Sequence, residues 1–254
     1  MVTIILVNND GASAADLGGE FKKSGLDELA YEPSSLTSAP KSWPTLNKMI
    51  SDKKRVVVFV PSLSTSNDYP YLMNEWDFVW ETAYESTSPS NFSCEPDRPS
   101  SMKGQTASVS ASNQLPLMNH FLYSNDLEIF NIQYPNSSYV STTNAASGGV
   151  GNLGSTASKC QKAWGRQPTF ILVDFFNRGP AIDTVDKLNN VTSPQGRTSI
   201  STSPASSDAS TIDGVFKGLV QLANSAKSGS NPTMGNWVWV GGNWGSILGG
   251  GLAL

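Results

Sequence analysis

Two side chains capable of acid–base chemistry lie within or directly after apolar runs of this 254-residue chain. Asp174 follows the apolar run 169–173, and the only histidine, His120, lies in the run 115–122. A carboxylate buried without a partner is costly, so we expect Asp174 to have one, although a structural carboxylate that accepts backbone N–H groups is the alternative. A single histidine in an apolar strand is either a packed core residue or a site residue, and the sequence leaves both open for His120.

Amide side chains flank the same runs. Asn8 and Asn9 end the first run, and Asn119 precedes His120. Amides can bind a phosphate or a sugar, although asparagine is also frequent in turns at strand ends. We therefore predict that Asn8, Asn9, Asn119 and His120 bind substrate, because barrel enzymes assemble their sites at the carboxyl ends of strands.

The acidic residues of the segment NEWDFVWE could form a carboxylate pair. Glu75, Asp77 and Glu81 alternate there with aromatic residues, and we interpret them as solvated acids of a loop or strand edge. The sequence contains neither a His/Cys/Asp cluster with metal-ligand spacing nor a P-loop. We therefore predict no metal site and no cofactor.

Apolar runs and helical patterns alternate along the chain, which predicts βαβ units and a parallel sheet, in a doubly wound fold or a (β/α)8 barrel. The predicted strands are 2–9, 55–61, 115–122 and 169–176, with 137–144 as a weaker fifth. The predicted helices are 14–30, 42–54, 152–165 and 180–191, with Ser42 as the N-cap of the second and Pro180 as the first residue of the fourth.

The composition favours a secreted protein and excludes a nucleic-acid-binding one. The net charge is −4, and no cluster of Lys and Arg offers a phosphate footprint. Only 15% of the residues are charged. Cys94 and Cys160 permit one disulfide, and Asn91, Asn136 and Asn190 begin N-glycosylation sequons.

Both ends of the chain differ from a simple secreted domain. The chain starts with a strand-like run and has no signal peptide, so we expect the natural domain to begin before Met1. Residues 192–211 form a Ser/Thr-rich linker, followed by a short helical pattern and an apolar tail over 212–254. This layout fits a GPI-attachment signal, and an ordinary Trp/Gly-rich C-terminus packed on the domain is the alternative.

The order of seven motifs resembles the second half of fungal secreted PLC-like phosphodiesterases, of the phosphatidylinositol-specific phospholipase C X-domain superfamily. The motifs are VTIILVNND, SWPTLNKMI, KRVVVFV, YLMNEWDFVWETAYES, FSCEPDRP, LMNHFLY and PTFILVDFFNRG. The resemblance covers about residues 2–191 and implies a TIM-type barrel. Residues 1–191 would then be the C-terminal part of an α/β barrel, with about its last five strands.

The resemblance implies cleavage of a phosphodiester by general acid–base catalysis. In that superfamily two histidines and an arginine come from the first three strands, and an Asp on the last strand hydrogen-bonds a histidine. This places the catalytic Asp at Asp174 and His120 at a substrate-facing position. The expected substrate is a small-molecule or lipid phosphodiester, and some relatives use a divalent ion.

With a single histidine, the chain itself is expected to be inactive although its relatives are extracellular or cell-surface enzymes. The alternative is a non-catalytic, GPI-anchored surface or cell-wall protein that keeps the barrel fold. In either case we expect membrane contact only through such an anchor.

Overall fold

A computed structural model describes residues 1–9, 11–127, 132–196 and 237–241. The chain divides into two compact units. The first contains Met1–Phe78, and the second contains Val79–Pro194 together with the strand Trp237–Gly241.

The first unit contains a three-stranded parallel sheet of β1 (Val2–Ile5), β2 (Val56–Val60) and β3 (Leu72–Asn74), in that order. All five residues of β2 are buried, as expected for the central strand of a parallel sheet. The helices of this unit are α1 (Ala14–Ser24), α2 (Leu46–Ser51), α3 (Glu75–Phe78) and a 3-10 turn at Asp27–Leu29. Phe21 and Leu26 pack on the sheet residues Ile4 and Val58.

Local capping residues fix where the helices of the first unit begin. Ser13 and Asp16 form a reciprocal capping box at the start of α1. The predicted N-cap of the second helix, Ser42, is wrong, because Thr45 caps α2 by accepting from the N–H of Lys48. A cap at Ser42 would require helical backbone at the residue before Pro44, which the proline ring disfavours.

The second unit is built on a five-stranded sheet. Its strands are β4 (Val79–Thr82), β5 (Pro96–Arg98), β6 (Leu115–Asn119), β9 (Phe170–Asp174) and β10 (Trp237–Gly241), and β7 (Tyr123–Leu127) and β8 (Ile132–Pro135) form a separate antiparallel pair. The sheet order is β10-β9-β6-β4-β5, and only the edge strand β5 is antiparallel. The helices are α4 (Thr106–Ala111), α5 (Val140–Thr143), α6 (Leu153–Trp164), α7 (Ala181–Leu188) and 3-10 turns at Pro89–Asn91 and Ser100–Met102.

One face of this sheet packs against helices. The side chains of Trp80, Met118, Ile171 and Val173 form a core with residues of α4, α6 and α7. Because successive side chains of a strand point to opposite faces, the residues between them belong to the other face, which we call the helix-free face because it lies opposite to the core formed with α4, α6 and α7.

A disulfide fastens α6 to the segment before β5. Cys94 and Cys160 are bonded, with Cα atoms 5.0 Å apart, and the indole N–H of Trp164 donates to the carbonyl of Cys94 at 2.7 Å. The Trp80 and Trp164 rings contact edge to face beside it, 4.8 Å between centroids.

The structure confirms the α/β class, the parallel pairing and the four main predicted strands. The weaker strand predicted at 137–144 is wrong, because the side-chain oxygen of Asn136 accepts from two backbone N–H groups and starts a turn that continues into α5. Pro180 precedes the fourth predicted helix rather than opening it. The described strands form no closed barrel, and the partial TIM-type barrel stays a prediction.

Most of the predicted linker 192–211, of the tail 212–254 and of the predicted GPI signal lies outside the described residues, although Trp237–Gly241 of the tail forms strand β10. Among the helices of the described part, none has both the length and the apolar character needed to cross a membrane.

Candidate functional site

Polar side chains collect on the helix-free face of the second unit, near the carboxyl ends of its parallel strands. Glu81 pairs in register with Leu117, so Asn119, two residues farther along β6, points to the same face. Asn119 pairs with Leu172, which places Asp174 one row beyond on the adjacent strand. Strand spacing puts the Asn119 and Asp174 backbones about 8 Å apart. The structure thus brings together two of the predicted site residues.

Glu81 was not predicted as a site residue, and the interpretation of it as a solvated acid is wrong. Glu81 is only 3% exposed, and its carboxylate forms an ion pair with Arg98, the residue opposite to it on β5. The Arg98 guanidinium lies 4.1 Å from the centroid of the Tyr84 ring. The alternation of side chains expected for a strand over Val79 to Thr82 is the signal that could have assigned Glu81 to one face of a sheet.

Asn119 is held by Glu81 and by the end of β4. Its Nδ2 donates to Glu81 Oε2 at 3.1 Å and to the carbonyl of Thr82 at 2.8 Å, and its backbone N–H donates to Thr82 Oγ1 at 3.0 Å. The remaining side-chain atom, Oδ1, is buried without a partner. Because both donors of the amide are directed at Glu81 and Thr82, the atom left for a ligand is a hydrogen-bond acceptor.

Asp174 also presents an unpaired acceptor. Its Oδ2 is buried and has no hydrogen-bond partner in the structure. Burial raises the pKa of Asp174 from 3.8 to about 7, because the charged form loses its hydration. Burial, with the Asp174 charge as a further cause, raises the pKa of Tyr123 to about 12. The described residues therefore supply no donor to Asp174 Oδ2.

Arg178, four residues after Asp174, donates no hydrogen bond to Asp174 Oδ2. Its guanidinium lies 5.9 Å from the centroid of the Phe175 ring.

His120 lies on the face opposite to Asp174, since it follows Asn119 directly and Met118, two residues before it, belongs to the helix side. It is fully buried, its ring is 4.2 Å from that of Phe92, and its Nε2 is 3.0 Å from the carbonyl oxygen of Thr143. Burial lowers the pKa of His120 to about 4, although nearby backbone groups partly oppose the effect. This arrangement favours the interpretation of His120 as a packed core residue, and substrate contact by His120 remains a prediction.

The other two predicted site residues belong to the first unit. Asn8 closes its own loop, since Nδ2 donates to the carbonyl of Ala12 and Oδ1 accepts from the Ala12 N–H. Asn9 is exposed. Their predicted contact with substrate is untested.

The three sequons differ in their surroundings. Asn91 and Asn190 are exposed, whereas Asn136 is partly buried and its Oδ1 caps the turn before α5. Glycosylation at the three positions remains a prediction.

Within the described ranges, no group of three or more His, Cys, Asp or Glu side chains is placed to hold a metal ion. The helix-free face instead offers the carboxylate of Asp174, the acceptor of Asn119 and the Glu81–Arg98 pair. Such a set can receive donors from a ligand and can stabilise a neighbouring cation.

Comparison with known proteins gives one family. The PI-PLC X family model matches residues 1–189. A fungal protein of Arthroderma benhamiae named "Uncharacterized secreted protein" is 32% identical over 200 residues, which are 76% of this chain and 43% of the relative. The "PI-PLC X domain-containing protein 1" of the same fungus is 30% identical over 192 residues, 75% of this chain and 59% of the relative.

A PI-PLC X domain-containing protein of Arabidopsis thaliana is 25% identical over 173 residues, 66% of this chain and 36% of the relative. The chain thus spans about half the length of the two fungal relatives, and less of the plant one. No solved structure matches it significantly.

Proposed function

Because the chain belongs to the PI-PLC X domain family, we propose that it carries part of the site of a secreted or cell-surface phosphoric diester hydrolase. The reaction is general acid–base cleavage of a phosphodiester in a lipid head group or a similar polyol. The observation that supports it is the carboxylate of Asp174, which ends β9 on the helix-free face with Oδ2 buried and unpaired.

In this proposal Asp174 acts through a histidine. A buried carboxylate with an unfilled acceptor stabilises an imidazolium that donates to it, and this keeps the histidine in the charged form that protonates a leaving oxygen. The charge pair would in turn return the pKa of Asp174 to a low value.

The substrate side of the proposed site is provided by acceptors. Asn119 Oδ1 is unpaired and buried, so it suits a hydroxyl donor of a polyol better than a phosphate oxygen. The Glu81–Arg98 pair holds the Asn119 amide in that orientation. His120, Asn8 and Asn9 remain proposed contacts without geometric support from this face.

We propose that the 254-residue chain does not turn over a phosphodiester by itself. Acid–base catalysis of this type uses two titratable groups on opposite sides of the phosphorus, and the sequence has one histidine. That histidine is buried and neutral at physiological pH, with its Nε2 directed at the Thr143 carbonyl. A partial barrel over residues 1–191 and an extracellular location belong to the same proposal, and the secreted fungal relative supports the latter.

A chimera tests the proposal. The PI-PLC X domain-containing relative that is 30% identical receives residues 2–191 of this chain in place of its own matched segment. We expect the folded chimera to cleave a chromogenic inositol phosphodiester, and Asp174→Asn to reduce kcat about 100-fold or more. The control is Asp183→Asn, an exposed carboxylate of α7, which should leave kcat unchanged.

A folded chimera whose turnover survives Asp174→Asn would overturn the role of Asp174. Turnover by the unmodified 254-residue chain, lost on Asp174→Asn, would overturn the proposed inactivity.

The second candidate is a non-catalytic surface protein, and the burial of His120 favours it. A chain that has no accessible acid–base pair can keep the fold and bind a polyol without cleaving it. A chimera that folds and binds the inositol phosphodiester without cleaving it would support this candidate.

A further inference from the structure

The loop after β9 turns sharply directly behind Asp174. Phe175 has φ +49°, in the left-handed region that non-glycine residues rarely adopt, and the N–H of Arg178 donates to the Phe175 carbonyl at 2.7 Å. A turn of this kind needs an external partner to persist. The turn begins at the residue directly after Asp174, so it fixes the backbone on the C-terminal side of Asp174.

One side chain supplies that partner. Nδ2 of Asn144 donates to the carbonyls of Asp174, Phe175 and Arg178, at 3.2, 3.5 and 2.9 Å. A single amide thus contacts both ends of the turn. The contact at 3.5 Å is weak, and the other two carry the attachment.

Asn144 is itself fixed from two elements. The residue is 1% exposed, and its N–H donates to the Val140 carbonyl of α5 at 2.9 Å. Its carbonyl accepts from Thr184 Oγ1 of α7 at 2.9 Å. Gly179 passes so close that an added Cβ would lie 3.1 Å from the Asn144 Cβ.

His120 is hydrogen-bonded to Thr143, the residue before Asn144. A carbonyl oxygen can only accept, so the Nε2 of His120 carries the proton that is shared with the Thr143 carbonyl at 3.0 Å. The chain's only histidine is thereby attached to the end of α5, on the helix side of the sheet. Through Thr143 and Asn144 it is connected to the loop that begins at Asp174.

We infer that Asn144 is a positioning residue for Asp174, and that His120 supports it by anchoring Thr143. The functional part of this inference, that Asn144 serves the site, rests on the proposed role of Asp174. It assigns a structural use to two buried polar residues, Asn144 and His120. It also explains why a histidine can be present without taking part in acid–base chemistry.

The test follows the Asp174 carboxyl carbon by NMR titration in the full 254-residue chain. Asn144→Ala should loosen the turn, admit water to the carboxylate and lower the pKa of Asp174 by about one pH unit or more. It should also increase the exchange rate of the Arg178 amide hydrogen. The matched control is Asn152→Ala, since Asn152 is 5% exposed and its side chain likewise bonds backbone groups, those of Gly149 and Ser155.

The inference stands if Asn144→Ala moves the Asp174 titration and Asn152→Ala does not. It is overturned if neither variant moves it, or if both move it equally. If Asn144→Ala does not fold, Thr184→Val decides, because it removes only the hydroxyl that holds the Asn144 carbonyl. A smaller lowering in that variant supports the inference, and an unchanged titration contradicts it.

Turnover is not the readout of this experiment. Failure of the inference would therefore leave the chimera assay of the proposed function unaffected, and failure of that assay would leave the positioning of Asp174 intact.

Discussion

Replacing Asp174 by asparagine should stabilise the protein at neutral and alkaline pH. The folded-state pKa is about 7 against an ordinary value of 3.8, because burial opposes ionisation. The gap of about three pH units, at about 1.4 kcal/mol each, corresponds to about 4 kcal/mol as an upper limit. A buried site carboxylate without a hydrogen-bond donor therefore lowers the free energy of unfolding at these pH values.

The sign follows from proton binding. Between pH 3.8 and about 7 the folded protein binds a proton at Asp174 that the unfolded chain has released. Stability from this group is therefore lost as pH rises through that window, and Asp174→Asn removes the loss. Below pH 4 the protonated acid and the amide should be nearly equivalent, so the difference between variants is small there.

His120 contributes with the opposite sign. Its folded-state pKa is lowered from 6.5 to about 4, so its contribution to stability rises with pH across that interval. The two groups nearly cancel in the wild-type chain over this range. Asp174→Asn should then reveal the histidine alone, with unfolding free energy rising by about 1.4 kcal/mol per pH unit at most.

The assay is urea unfolding at a series of pH values from 4 to 8, followed by tryptophan fluorescence. We expect Asp174→Asn to exceed the wild type by about 2 to 4 kcal/mol at pH 8 and by little at pH 4. Asp183→Asn, at an exposed position of α7, should stay within about 0.5 kcal/mol of wild type at every pH. Parallel pH curves for wild type and Asp174→Asn would refute the reasoning.

Two further expectations concern the packing around the site. Replacing both Cys94 and Cys160 by alanine should lower the unfolding free energy by about 4 kcal/mol, because the disulfide closes a loop with a sequence separation of 66. A loss below about 1 kcal/mol in urea unfolding would contradict this expectation. Glu81→Gln should cost about 2 kcal/mol in the same assay, since it leaves the partly buried Arg98 without its counter-charge. The control is the exposed ion pair of Asp52 with Lys48, where Asp52→Asn should change the unfolding free energy by less than about 0.5 kcal/mol. If Glu81→Gln and Asp52→Asn cost the same, burial does not strengthen the Glu81–Arg98 pair.

The sequence predicted the strands that are apolar on both faces. Runs such as Val56–Val60 and Phe170–Asp174 are unmistakable because parallel strands need no polar face. β3 and β4 were missed since they have three and four residues, and the second contains Glu81. In the segment 137–144, tyrosine, valine and threonine suggested a strand, but the Asn136 side chain turns the backbone before pairing can begin.

The site was predictable in its residue types more than in its faces. Asp174 and Asn119 were identified from their places at strand ends, and both lie on the helix-free face. The prediction places His120 with them from its strand-end position and from the family resemblance, yet one residue in a strand reverses the side-chain direction. Asn144 gave no signal, since its role depends on contacts with residues 30 to 34 positions away.

The most direct test is the titration of the Asp174 carboxyl carbon in the unmodified 254-residue chain. A midpoint near pH 7 would show a buried carboxylate that lacks a donor, as the proposed site requires. A midpoint at or below 3.8 would show that Asp174 is hydrated or already paired, and it would contradict the proposed site.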